Sequence, residues 1–138
     1  GKKIKYVSRS IVTVNKDKID KWKVAIPGAY ATGARRCTLP KHQIFLINKG
    51  EITTETYNIV NWFDSKAEAE RFIKYLQSDF ARYLLGLRKL TQHIPRDRWS
   101  WVPYMNTDKE WTDEKLFHFF KLTQAERDHL KKKVQEWS

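Results

Sequence analysis

Hydrophobic and polar positions change period along the chain, and the change divides it into a β-rich half and a helical half. Near the start, Ile4 and Tyr6 alternate with lysines and Ser10 to Val14 is β-branched, so both stretches are predicted as strands. Asn15 to Asp20 is a polar turn. Trp22, Val24 and Ile26 then fall on one face of a period-2 segment and Lys21, Lys23 and Ala25 on the other, and Pro27 ends it. Gly28 to Gln43 has no period, two glycines, a proline and the Arg35–Arg36 pair, and reads as a long loop of the kind that tends to carry function. Ile44 to Ile47 resumes as a strand, Asn48 to Glu51 turns it, and Thr53 to Trp62 gives a further strand or pair of strands.

The period then becomes helical. Ser65 and Glu68 have capping-box spacing, in which each side chain satisfies a free N–H at a helix start. Ala69, Phe72, Ile73, Leu76, Phe80, Tyr83, Leu84 and Leu87 follow at steps of mainly three and four, one stripe that predicts a single long helix across the sheet. Arg71, Lys74 and Arg82 lie off the stripe, in solvent. Arg98 to Pro103 reads as a short strand with Trp99 and Trp101 on one face. Thr112 to Lys121 reads as a short helix, and Thr123 with Glu126 as a second capping box opening a last helix to about Glu136. The predicted class is α+β: one mostly antiparallel or mixed sheet packed by one long helix, with short C-terminal helices.

Charge adds direction to this picture. The net charge of the 138 residues is +11, and residues 1–49 hold 12 Lys or Arg against 2 Asp or Glu, whereas the remainder is nearly balanced. A surface with that asymmetry attracts polyanions. No apolar run is long enough for a transmembrane helix, no signal peptide is visible at the start, and the one cysteine, Cys37, has no internal partner, so a single cytoplasmic domain without a membrane partner is expected.

Familiar catalytic patterns are absent. The sequence has no phosphate-binding glycine loop and no Gly-x-Ser-x-Gly. Cys37, His42, His93, His118 and His129 are too scattered for a zinc site, so no metal is expected. Asp64 and Glu68, and Asp113 and Glu114, stand at helix starts, where the helix dipole favours acids. The run Leu116 to Val134 has the outline of a helix-turn-helix reader. Its last helix, however, is mixed in charge with a narrow stripe of Leu130 and Val134, and reads as a clasp on the core.

Several features occur together in a recognisable order: Thr54 to Tyr57 (TETY), Phe63-Asp64-Ser65, Leu87 to Gln92 (LRKLTQ), Trp101 to Pro103 (WVP), Glu110 to Leu116 (EWTDEKL) and Leu122 to Glu126 (LTQAE). This series resembles the C-terminal target-recognition region of bacterial Type II restriction–modification proteins, N6-adenine DNA methyltransferases that are in some cases fused to an endonuclease. Lys21 to Tyr30 resembles the start of the same region. The resemblance implies that residues 1–138 are a single module of a larger protein, reading double-stranded DNA beside the parent's catalytic domain. The parent's Asn-Pro-Pro-Tyr motif and S-adenosylmethionine loop are missing here, so the chain is expected to be non-catalytic and to hold no cofactor. S-adenosylmethionine, and Mg for a nuclease, would belong to the parent.

Site-specific binding needs cations that fix position on phosphates and polar groups that read base edges. The phosphate candidates are Lys2, Lys3, Lys5, Arg9, Lys21, Lys23 and Lys41. For base edges the candidates are Arg35 and Arg36 on the long loop, since arginine pairs with both major-groove acceptors of guanine, followed by His42 and Gln43. A second set is Arg88, Lys89, Gln92, His93, Arg96 and Arg98. Cations at a helix end are also favoured by the last carbonyls, which accounts for some of this second set without DNA. The alternative functions are a docking module using Trp111, Phe117, Phe119 and Phe120, and an endonuclease domain.

Overall fold

The computed structural model describes residues 4–28, 39–88 and 101–138, with Arg88 described in its main chain only. The fold is α+β. Three strands, β1 (Trp22–Pro27), β2 (Phe45–Ile47) and β3 (Tyr57–Phe63), form an antiparallel sheet in the order β2-β1-β3. The helices are α1 (Lys66–Leu76), α2 (Asp79–Arg88), α3 (Asp113–Phe119) and α4 (Gln124–Trp137). None is long and apolar enough to cross a membrane.

β1 forms as its period predicts, but it is the central strand, and Lys23, Val24, Ala25 and Ile26 are all buried. Its second face is therefore covered as well, where the alternation had placed that face in solvent. β3 pairs with β1 through a bulge. The register runs from Val24↔Asn61 to Ala25↔Ile59, and Val60 is the extra residue that bends the strand.

The single long helix of the hydrophobic stripe is two helices. α1 begins at the expected Ser65, whose Oγ accepts from Glu68 N at 3.2 Å, but the Glu68 carboxylate accepts from the Ser65 hydroxyl at 3.0 Å instead of completing the predicted box on the Ser65 amide. It stops at Leu76 because Ser78 starts a new helix: Ser78 Oγ accepts from Ala81 N at 3.1 Å. The carboxylate of Asp113 accepts from Asp79 N and Phe80 N at 3.1 and 3.0 Å. These are N–H groups that a continuous helix would bond internally. Accordingly α1 packs on all three strands, while α2 packs on α3 and α4.

Two of the off-stripe cations are not solvated. Arg82 is buried on α2, where it donates to Leu39 O and Ser138 Oγ, and Arg71 Nε donates to Thr107 O at 2.6 Å. Lys74 is exposed, pairing with Glu110 at 3.3 Å.

The C-terminal half matches its local signals. Thr112 caps α3, and Thr123 with Glu126 forms a complete capping box on α4. Leu130, Val134 and Trp137 turn one face of α4 onto α2, where Trp137 stacks on Tyr83 with ring centroids 5.5 Å apart. The clasp is seen, and the stripe that would have presented a reading helix is spent on the core.

Both N-terminal strand expectations fail, and the Thr53–Trp62 strand is met only from Tyr57. Residues 4–14 contain a 3-10 turn at Arg9–Ile11 and no strand, and their apolar side chains are exposed except for half-buried Val12. Thr53 to Thr56 precede β3 without joining it. Trp101 to Pro103 is also outside any strand, and the rest of that predicted strand, with Trp99, lies outside the described residues. A β-type pattern specifies a side-chain rhythm, but a strand also needs a neighbouring edge.

Candidate nucleic-acid interface

Two turns meet at the end of the sheet where β1 begins. Residues 15–21 enter β1, with Asn15 in the left-handed region at φ 53°, and residues 48–51 leave β2, with Gly50 at φ 82°. A glycine suits that second position because a Cβ is strained at positive φ. Gly50 N donates to Ile19 O at 2.8 Å and ties the turns together.

Lys23 completes the tie. Its side chain is buried, and Nζ donates to Lys21 O at 2.8 Å and Ile19 O at 2.9 Å, with Asn48 O and Lys18 O at 3.3 and 3.4 Å. Burial pushes its ammonium below the usual lysine value, while Glu51 and Asp20 act in the opposite sense. Lys23 is therefore a correction to the set of phosphate contacts: the ammonium is committed to carbonyls inside the protein.

Arg9 and Lys21 reach the same end but meet carboxylates. Arg9 makes a two-point contact with Asp20 at 2.8 and 2.9 Å, and the side chains of both remain well exposed. The shared hydrogen bonds raise the Arg9 pKa and hold Asp20 below the usual carboxylate range. Lys21 pairs with Asp64, whose pKa falls chiefly through that hydrogen bond. Lys18 pairs with Asp17 at 3.0 Å and lies 4.7 Å over the ring of Trp62. Exposed pairs of this kind contribute little to stability and can exchange partners readily.

Lys16 and Lys49 supply the surplus charge here. Both are exposed, and neither has a carboxylate partner within ion-pair distance among the described residues. Lys49 nonetheless acts on Asp20 and Asp64, lowering both, so its charge belongs to the same cluster. Sequence reading missed Lys16, Lys18 and Lys49 because they stand in segments read only as polar turns. The density of cations in residues 1–49 was the available signal.

Lys41, His42 and Gln43 lie beyond the opposite end of β1, roughly 17 Å away at about 3.4 Å per residue of strand. Lys41 and His42 are exposed on a 3-10 turn. The turn is fixed from below: Gln77 Nε2 donates to Lys41 O at 3.2 Å, and Arg82 Nε donates to Leu39 O at 3.0 Å. Gln43 Oε1 is enclosed, with no hydrogen-bond partner among the described residues. Lys5 stands apart on the N-terminal arm and is exposed. Lys3, Arg35, Arg36, Lys89, Gln92, His93, Arg96 and Arg98 lie outside the described residues, as does the side chain of Arg88. The structure thus brings Arg9, Lys21 and Lys23 together at one end of β1 and Lys41, His42 and Gln43 together at the other.

The aromatic docking surface contracts. Trp111 and Phe117 are buried, leaving Phe119 and Phe120 as the exposed members. Among the described residues no group of three or more His, Cys, Asp or Glu could hold a metal ion. Compared with protein-family models, curated proteins and solved structures, the chain gives no match.

Proposed function

We propose that the chain binds double-stranded DNA as a target-recognition module of a restriction–modification protein and leaves chemistry to the parent's catalytic domain. One observation carries the reading: nearly all of the +11 excess lies in residues 1–49, and Lys5, Lys16, Lys41 and Lys49 from that third are exposed without carboxylate partners among the described residues. Such cations meet phosphates, release counterions and fix the protein on the duplex. Two basic groups about a strand's length apart suit a ligand as extended as DNA. Arg35 and Arg36 join the second group in sequence and remain the candidates for reading guanine.

Substituting Lys16 and Lys49 with alanine is expected to weaken binding equally on all sequences. Each should lower the slope of log affinity against log salt by about one. Arg35→Ala should instead reduce discrimination between sites, costing about 1–3 kcal/mol on the preferred site alone. Anisotropy titrations on two unrelated duplexes separate these outcomes, and a fall confined to one duplex for the lysine variants would count against the assignment.

A further inference from the structure

The N-terminal arm and the outer edge of β3 are both incomplete, and each has what the other lacks. Among the described residues β3 is an edge strand, hydrogen-bonded to β1 on one side only. Gly28 N donates to Thr56 O at 2.9 Å, next to the Pro27↔Tyr57 pair. In an antiparallel ladder the outward direction alternates, so Tyr57 and Ile59 turn their main-chain groups away from β1, and of these Tyr57 N already donates to Thr54 O at 3.1 Å. Beyond them lies a groove of about 1080 Å³. Its lining includes the apolar surfaces of Ile59, Val60, Phe72 and Tyr104, and its acidic residue is Glu55, which is exposed and has no cation partner among the described residues. Part of the edge is closed, because Asn61 Oδ1 accepts from Trp62 N at 2.9 Å. Among the described residues the Tyr57 carbonyl and the main-chain groups of Ile59 are left for another strand.

The arm has the complementary character. Ile4, Tyr6 and Val7 are exposed, Ile4 at 83% and Tyr6 at 93%, in a sequence that alternates apolar residues with lysine. Solvent is a poor place for so many apolar groups in one short segment, and such exposure marks a contact surface. Arg9 is anchored on Asp20, Val12 and Val14 form part of the groove wall, and residues 4–8 before that anchor are exposed.

We infer that residues 4–8 of one copy of this chain lie along the open half of β3 in a second copy, and that the second copy returns its own arm. The exchange is reciprocal, so it closes as a two-fold dimer. Main-chain hydrogen bonds to the Tyr57 carbonyl and to Ile59 supply affinity, and alternate apolar side chains enter the groove. Lys5, set between Ile4 and Tyr6, brings its ammonium to Glu55. This charge pair favours a second copy over an unrelated apolar strand.

Sedimentation velocity from about 5 to about 200 µM at near-physiological salt tests the exchange. The wild-type chain is expected to move from its 16.5 kDa monomer to twice that mass. Ile4→Asp with Tyr6→Asp should stay monomeric with an unchanged circular dichroism spectrum, because both side chains are in solvent in the monomer. Glu55→Lys should weaken the dimer roughly tenfold, and Lys5→Glu in the same chain should restore it. A wild-type chain that stays monomeric at the highest concentration overturns the inference. So does a dimer untouched by the aspartates or by Glu55→Lys. A monomer in which residues 4–8 are protected from hydrogen exchange would assign the groove to the chain's own arm, and overturns it equally. DNA affinity plays no part in this readout, so the two readings can fail separately.

Discussion

Arg82→Met is expected to lower the unfolding free energy by about 3–4 kcal/mol, the largest effect of any single substitution considered for this fold. Arg82 is buried, and its guanidinium serves three parts of the chain at once. Nε donates to Leu39 O at 3.0 Å, Nη2 donates to Ser138 Oγ at 2.9 Å, and Nη1 lies 3.7 Å from Asp79 Oδ1. Methionine would match the stem but leave the carbonyl of buried Leu39 without this donor, and an unsatisfied buried group costs about 1–3 kcal/mol, to which loss of the contact with Asp79 adds. Lysine at this position should recover part of the loss, since it keeps the charge but lacks the planar fork that spans separate acceptors. Urea denaturation of the three proteins checks the order. A methionine variant within about 0.5 kcal/mol of wild type would show that the guanidinium is not holding these segments, since changes of that size are typical of surface positions. Because Arg82 holds the Leu39 carbonyl, the same variant should expose the Leu39 region to faster hydrogen exchange.

Lys23→Met is expected to cost about 2–3 kcal/mol. Two effects oppose each other. Burying the ammonium is unfavourable, as its depressed pKa records. Against that, the ammonium donates to carbonyls of both turns, with Lys21 O at 2.8 Å and Ile19 O at 2.9 Å the closest. Hydrogen bonds from a charged donor contribute about 1.5–3 kcal/mol each. Methionine removes the desolvation cost but leaves the acceptors in place, so the loss of donors wins. The pH dependence has a definite sign. The folded pKa lies below the unfolded value, so the cost of charge burial is present at neutral pH. It is relieved as pH rises through the depressed folded pKa towards the ordinary lysine value, and returns as pH falls through the same window. Wild type should therefore gain stability relative to Lys23→Met in alkaline solution. Parallel denaturation curves at neutral and alkaline pH measure this, and a constant difference would contradict the assignment.

Lys23 also marks where the sequence stopped being informative. Its alternation with Trp22 and Val24 put it on an outer face, but the depth of that face depends on what covers a central strand, which is a tertiary fact. Local chemistry was more legible. The Thr123–Glu126 capping box and the Ser65 cap act within one turn, and both are found where spacing placed them. The break between α1 and α2 was hidden by a continuous apolar stripe. Its only local sign was Ser78-Asp79, and the group that makes the break favourable, Asp113, lies more than thirty residues on. The arm shows the opposite error: a strand-like rhythm without a neighbouring edge in the same chain. In the candidate interface, total charge directed attention to the first third of the chain. The division between committed cations (Lys23, Arg9, Lys21) and available ones (Lys16, Lys49) depended on where Asp20 and Asp64 fall in space.

The central claim, that this chain binds duplex DNA through exposed cations of its first third, is tested most directly by one titration. A fluorescein-labelled duplex of about 20–30 base pairs is titrated with the wild-type chain at salt concentrations from about 50 to about 200 mM. Phosphate contacts by Lys5, Lys16, Lys41 and Lys49 predict measurable binding at the low end and a log–log salt slope of about −3 to −4, at about −0.9 per contact. No binding at about 50 mM, or binding whose affinity is indifferent to salt, would contradict the account.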